Sequence, residues 1–358
     1  MKKTIISLTA LLAVCATASL VYSCANVADN GDRSADYEFD YEQNDPVVSE
    51  NSSTEEDDPS KPYGMVGTSQ WEVIPNGTDE FDGPEIDSDK WQIDNDVTDW
   101  GVWSWEDDHS EIVDGILHTT MSFNIHERSG STYYFYSGIV KSKYRWCYGY
   151  YETRMKAASV LPGTCPAFWL KGVNGSQSAE VDVVELPEDT DPDVYLTEFS
   201  TNLHCELYEN GVSGTTAWTR VRREYQHGWD DPRDDYHIYG CEVHPEYIAF
   251  FVDGQPLYTP DNDCGEALVE NIWTDWPVYV IPNDLVHQNM NIFVSMGVRS
   301  PYRSSNSSYS EGYEGSDIYP VAAQSIADQD LFPTTMYTDY VRSWSRVGVE
   351  NSEEYKLN

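Results

Sequence analysis

From Tyr63 onward the chain is a succession of short β-rich runs broken by turn clusters, and no other feature constrains its fold as strongly. The runs include "YYFYSGIV", "YGYYETRMKA", "CPAFWLKG", "EVDVVEL", "TEFSTNLHCELY", "YHIYGCEV", "YIAFFVDGQPLY", "MNIFVSMGV" and "MYTDYVRSW". They are rich in Val, Ile, Tyr, Phe and Trp, residues that fit a pleated, half-buried surface. Asp253 and Gly254 separate two apolar runs, a short-range hairpin signal. No long helical period and no internal repeat is visible. Many short strands in one region of this length predict an all-β sandwich or barrel. Residues 261–288, with Trp273 and Trp276, and residues 306–320 read as long surface excursions.

One strand carries chemistry. "SAEVDVVELPE", residues 178–188, sets Glu180, Asp182 and Glu185 in a valine-rich run. Side chains on a strand alternate faces, so Glu180 and Asp182 share one. Strict alternation sends Glu185 to the other. A β-bulge at Val183 and Val184 adds one residue and returns Glu185 to the first face. Glu180 and Glu185 then stand four strand steps apart, roughly 13 Å between Cα atoms. Side chains leaning toward each other leave the carboxyl groups about 5 Å apart, the separation of a retaining glycosidase pair. An inverting pair needs more room for water. Three acids this close do not all ionise freely. A protonated Glu185 would give its proton to the leaving oxygen while an ionised Glu180 attacks, with Asp182 holding Glu180. A calcium site or an acidic edge strand is the competing reading. The flanking valines imply a buried strand, where three unused acids would be costly.

The formal charge of −41 over 358 residues argues against nucleic acid or an anionic membrane as partner. It suits an exported protein. Residues 1–23 fit an export signal: Lys2 and Lys3 precede an apolar run too short for a membrane span. Its end, "VYSC", resembles a lipoprotein cleavage box with Cys24 as the lipidated residue of an outer-membrane or cell-surface lipoprotein; simple secretion is the alternative. Residues 24–62 carry a dozen acids against two basic residues, the composition of a disordered tether. The domain assigned to catalysis is 63–349, with a tail at 350–358. Beyond Cys15 and Cys24 there are five cysteines and no C-x-x-C pattern. They read as buried thiols with at most two disulfides. A monomer is expected.

"AEVDVVE" matches the E-x-D-x-x-E signature of glycoside hydrolase family 16. "YGYYETRMKAASVLPGTCPAFWL" resembles the strand pair that precedes the signature there, and "TNLH", "YHIYGCEVHPEYIAFFVDG" and "MYTDYVRSW" resemble later strands. The resemblance spans residues 68–348. It implies a β-jelly-roll sandwich of two curved antiparallel sheets with a concave substrate cleft. By it Glu180 is the nucleophile, Asp182 its helper and Glu185 the acid/base. Trp169 and His204 fall at positions that face or support the cleft.

Within the family, "DPRDDYHIYG", "MNIFVSMGVRSPY" and "FPTTMYTDYVRSW" are most similar to κ-carrageenases. The implied activity is endo-acting, retaining cleavage of β-1,4 linkages in a sulfated red-algal galactan, first κ-carrageenan. Furcellaran, porphyran and agar are the alternatives within the family; a non-catalytic surface glycan-binding lipoprotein is the alternative of another class. Sulfate favours an Arg fork. Arg299 in "GVRSPY" resembles a sulfate-contacting position, Trp218 and Arg220 in "WTR" a subsite pair, and Arg303 is a further candidate. Trp103 and Trp105 share a face and would form another platform, unless that face is interior. The chemistry requires no cofactor, but the family implies a structural calcium ion, to which Asp339 and the "DEFDG" turn at 79–83 would contribute.

Overall fold

The computed structural model describes residues 58–65, 70–93, 103–128, 130–161, 163–174, 177–186, 198–209, 212–224, 231–256, 267–269, 278–283, 286–299 and 331–355. The export signal, Cys24, nearly all of the tether, Cys264, Trp273, Trp276, residues 306–320 and Arg303 lie outside them.

These residues form β1 (Trp71–Val73), β2 (Trp91–Gln92), β3 (Trp103–Trp105), β4 (Ser110–Val113), β5 (Ile116–Arg128), β6 (Ser131–Ser137) and β7 (Ile139–Trp146). Next come β8 (Gly149–Lys156), β9 (Thr164–Asn174), β10 (Gln177–Glu185), β11 (Glu198–Glu209), β12 (Val212–Glu224), β13 (His237–Val243) and β14 (Tyr247–Val252). The last are β15 (Gln255–Pro256), β16 (Ala267–Val269), β17 (Val278–Pro282), β18 (Met290–Val298), β19 (Thr334–Arg346) and β20 (Glu353–Tyr355). One sheet runs β12-β11-β10-β9-β18-β7-β2, with β20 on β7. The other runs β16-β17-β14-β13-β8-β19-β5-β6-β3, with β1, β15 and β4 paired alongside. The pairings are antiparallel apart from β3 with β6. The architecture is the expected jelly-roll sandwich.

Alternation builds the core. On β18, Ile292, Val294, Met296 and Val298 point inward, each with no exposed surface. They join one cluster with Val181 and Val184 of β10 and with Tyr239, Cys241, Ile248 and Val341 of the opposite sheet. Burying each such aliphatic side chain contributes about 1.5–3 kcal/mol. The Asp-Gly hairpin is present: Val252 pairs with Gln255, and Asp253 and Gly254 take φ of 47° and 73°. Positive φ at both positions fits a two-residue turn whose twist matches the strands. Part of the excursion expected at 261–288 is sheet instead. The runs "ALV" and "VYVIP" form β16 and β17 and extend the second sheet through β14.

Candidate active site

Antiparallel partners share a face, so the register of the first sheet lays out the site in rows. One row holds Asn291, Lys171, Glu180, His204 and Trp218 on β18, β9, β10, β11 and β12. The next holds Phe293, Trp169, Asp182, Asn202 and Arg220. The third holds Ser295, Ala167, Glu185, Ser200 and Arg222.

Between the second and third rows β10 has one residue more than its neighbours. Asp182 pairs with Trp169 and Val184 with Phe168, which leaves Val183 as the surplus. Against β11, three steps from Asp182 to Glu185 meet two from Asn202 to Ser200. Val181, Val183 and Val184 are all buried, 0–1% exposed, so two successive valines face the core. That phase change is the β-bulge expected from the sequence, and it puts Glu185 on the face of Glu180 and Asp182.

Each acid has a distinct partner. Lys171 Nζ lies 2.7 Å from Glu180 Oε2. His204 Nε2 lies 3.2 Å from Asp182 Oδ2, at an angle that leaves this oxygen without a well-aligned hydrogen bond. Arg299 donates to Glu185 Oε1 at 2.6 Å, and Asn202 Nδ2 donates to Glu185 Oε2 at 2.8 Å. The Cys165 thiol sits 3.8 Å from Glu185 Oε1. Glu180 and Glu185 keep 24% and 23% of their side-chain surface exposed, whereas Asp182 keeps 4%. The Trp169 ring stacks on Phe293 at 4.1 Å, and its indole N–H donates to Ser295 Oγ at 3.0 Å.

Burial pushes the Asp182 carboxyl up to about 7, helped by Glu185 and Glu180 and opposed by His204. His204 is raised above its ordinary value, first by its contact with Asp182 and against its own burial. A raised carboxyl keeps its proton in the folded state where the unfolded chain has lost it. Its contribution is full below the unfolded value of 3.8 and is lost as pH rises toward about 7. His204, raised from 6.5, contributes with the same sign and loses it as pH rises through its folded value. Asp182→Asn is therefore expected to flatten the fall of Tm between about pH 4 and pH 7. Thermal melts at constant ionic strength check this, and an unchanged slope would contradict it.

The structure gathers Glu180, Asp182, Glu185, Trp169, His204 and Arg299 on one face. It places Trp218 and Arg220 in the first two rows by backbone register; their side chains lie outside the described residues. Trp103 is a correction. It is 3% exposed and packs over Gly297, where a Cβ would lie 3.2 Å from the indole. No ring face remains for a sugar, because β3 folds its first Trp onto the end of β18. Trp105 meets Trp103 edge to face at 6.1 Å and stays half-buried.

Two neighbours of the acids escaped the sequence reading, Lys171 and Asn202. Alternation signalled both: Lys171 is two residues past Trp169, and Asn202 two before His204. The thiols of Cys147, Cys165, Cys205 and Cys241 are buried, with no disulfide among the described residues. Asp339 Oδ2 accepts from Arg154 at 2.6 Å, and Asp79 accepts from the Phe81 N–H at 2.9 Å and the Trp91 indole at 2.8 Å. These contacts engage one oxygen of Asp339 and both of Asp79. Among the described residues, neither acid belongs to a cluster of three side-chain ligands. A cavity of about 650 Å³ lined by Cys147, Tyr148, His244 and His287 holds none of the acids. The acids line one face of the first sheet.

The family described as beta-porphyranase A–D, GH16 domain, matches residues 71–269. The chain belongs to glycoside hydrolase family 16. It is 30% identical to the kappa-carrageenase of Pseudoalteromonas carrageenovora, over 79% of this chain and 66% of that one. Beta-porphyranase B of Phocaeicola plebeius is 27% identical over 56% of this chain and 70% of that one. The chain spans 46% of the length of the matched Acetivibrio thermocellus beta-glucanase. Among solved structures, the kappa-carrageenase of Zobellia galactanivorans superposes with a TM-score of 0.60 at 28% identity, covering 81% of this chain and all of that one. The Pseudoalteromonas kappa-carrageenase, bound to an oligotetrasaccharide of kappa-carrageenan, gives 0.57 at 26% identity over 82% of this chain and all of that one.

Proposed function

We propose that the protein is an endo-acting, retaining glycoside hydrolase that cleaves β-1,4 linkages in a sulfated red-algal galactan, κ-carrageenan first. The observation that carries this reading is the bulge that turns Glu185 onto the face of Glu180. Glu180 attacks the anomeric carbon while Glu185 gives its proton to the leaving glycosidic oxygen. A glycosyl ester on Glu180 forms and one chain end departs. Glu185 then takes a proton from water, whose oxygen displaces Glu180 from the anomeric carbon. Asp182 and His204 hold Glu180 in place from the same face. Both oxygens of Glu185 accept hydrogen bonds. Each oxygen keeps a second lone pair for the proton that Glu185 carries, and a substrate anion that draws Arg299 away frees a further one.

The substrate assignment leans on the kappa-carrageenases among the relatives, one of them bound to a kappa-carrageenan oligosaccharide. The porphyranase description of the matching family favours porphyran as the second reading. A reducing-sugar assay on κ-carrageenan, furcellaran, porphyran, agarose and laminarin tests the choice. Highest turnover on κ-carrageenan is expected. Binding without turnover on every polymer would replace the enzyme with a glycan-binding module. The net charge of −41 is compatible with an anionic substrate because salt shortens the reach of distant charges to about 8 Å at physiological strength. Cations in contact range then dominate. The signal-like start and Cys24 support export with a lipid anchor, and a monomer is the working state.

A further inference from the structure

We infer that Lys171 is a specificity-determining residue, taking a sulfate half-ester of the sugar held against Glu180 and releasing that carboxylate for attack. This rests on the reading of Glu180 as nucleophile. Lys171 is the cross-strand partner of Glu180, and its Nζ sits 2.7 Å from Glu180 Oε2. The same ammonium lies 5.8 Å from the centre of the Trp169 ring. Trp169 and Lys171 are two residues apart on β9, so a stacking surface and a cation stand side by side beside the attacking oxygen.

Exposure makes the exchange cheap. The Lys171 side chain keeps 45% of its surface in solvent. An exposed ion pair of this kind is weak and screened. An ammonium on a flexible stem re-aims easily, unlike a guanidinium fork. A sulfate brought in on the sugar competes for Lys171 and leaves Glu180 Oε2 unpaired at the moment it must attack. A neutral sugar offers no such competitor, and the ammonium stays on the nucleophile, opposing the transfer of its charge to carbon. Sulfation is therefore read in kcat as well as in KM.

The test compares wild type, Lys171→Met and Lys171→Arg on κ-carrageenan and on the same polymer chemically desulfated. Lys171→Met should lose about 10- to 100-fold in kcat/KM on the sulfated polymer, the scale of one charged hydrogen bond. On the desulfated polymer its kcat should hold or rise. Lys171→Arg should keep the sulfate preference but turn over more slowly than wild type, because its fork leaves Glu180 less readily. Equal losses on both polymers would overturn the inference and leave Lys171 as a prop for Glu180. Binding of sulfated and desulfated κ-carrageenan oligosaccharides, in a Glu185→Gln background, reads the same contact without turnover. A sulfate preference unchanged by Lys171→Met would also overturn it; a lost preference would support it even where Glu180 proved not to be the nucleophile.

Discussion

Glu180→Ser is expected to lower κ-carrageenan hydrolysis by about 10⁴-fold or more, as removal of an attacking group does elsewhere, while oligosaccharide binding persists. Serine is too short to reach the anomeric carbon from the β10 backbone, so no glycosyl ester can form. The rest of the face is untouched: Trp169 stays stacked on Phe293, and Asn202 and Arg299 stay on Glu185. Glu180 is only partly buried, so the fold loses little packing with it. Turnover by reducing-sugar release and affinity by calorimetry are read on the same preparation. Full activity in the variant would assign the attack to another group.

Inserting one alanine between Val184 and Glu185 is the second large effect. It adds one step after the bulge along β10, and a one-residue shift sends Glu185 to the opposite face. Glu185 would then point into the core, away from Arg299 and Asn202. The expected loss is about 10²- to 10⁴-fold, the worth of a general acid, and should match that of Glu185→Gln. The bulge lies near the strand's end, since β10 stops at Glu185, so the disturbance to pairing is small. An aryl glycoside with a good leaving group needs no proton and should be cleaved by both variants at rates much closer to wild type. An insertion variant that folds, by its thermal melt, and cleaves κ-carrageenan normally would contradict the role given to the phase of β10.

The sandwich was legible because β-branched and aromatic runs recur with turn residues between them, and two faces of alternating burial admit few architectures. The acid face was legible because its one irregularity shows in the strand itself: two valines stand where alternation allows one. Partners from distant strands were harder. That Arg299 would sit on Glu185 depends on β18 lying beside β9, a pairing between segments more than a hundred residues apart. Trp103 was misread as a possible platform because alternation gives a shared face without saying which face is interior. β16 and β17 were missed because short apolar runs between polar stretches carry too little period to separate strand from loop.

The central claim is that Glu180 and Glu185 flank one glycosidic bond from one face, close enough for direct attack with no water between. Proton NMR of the first oligosaccharides released from κ-carrageenan measures this through the anomeric configuration of the new reducing end. Retention, with the β-anomer appearing first and mutarotating to α, is the predicted result. The α-anomer appearing first would contradict the account.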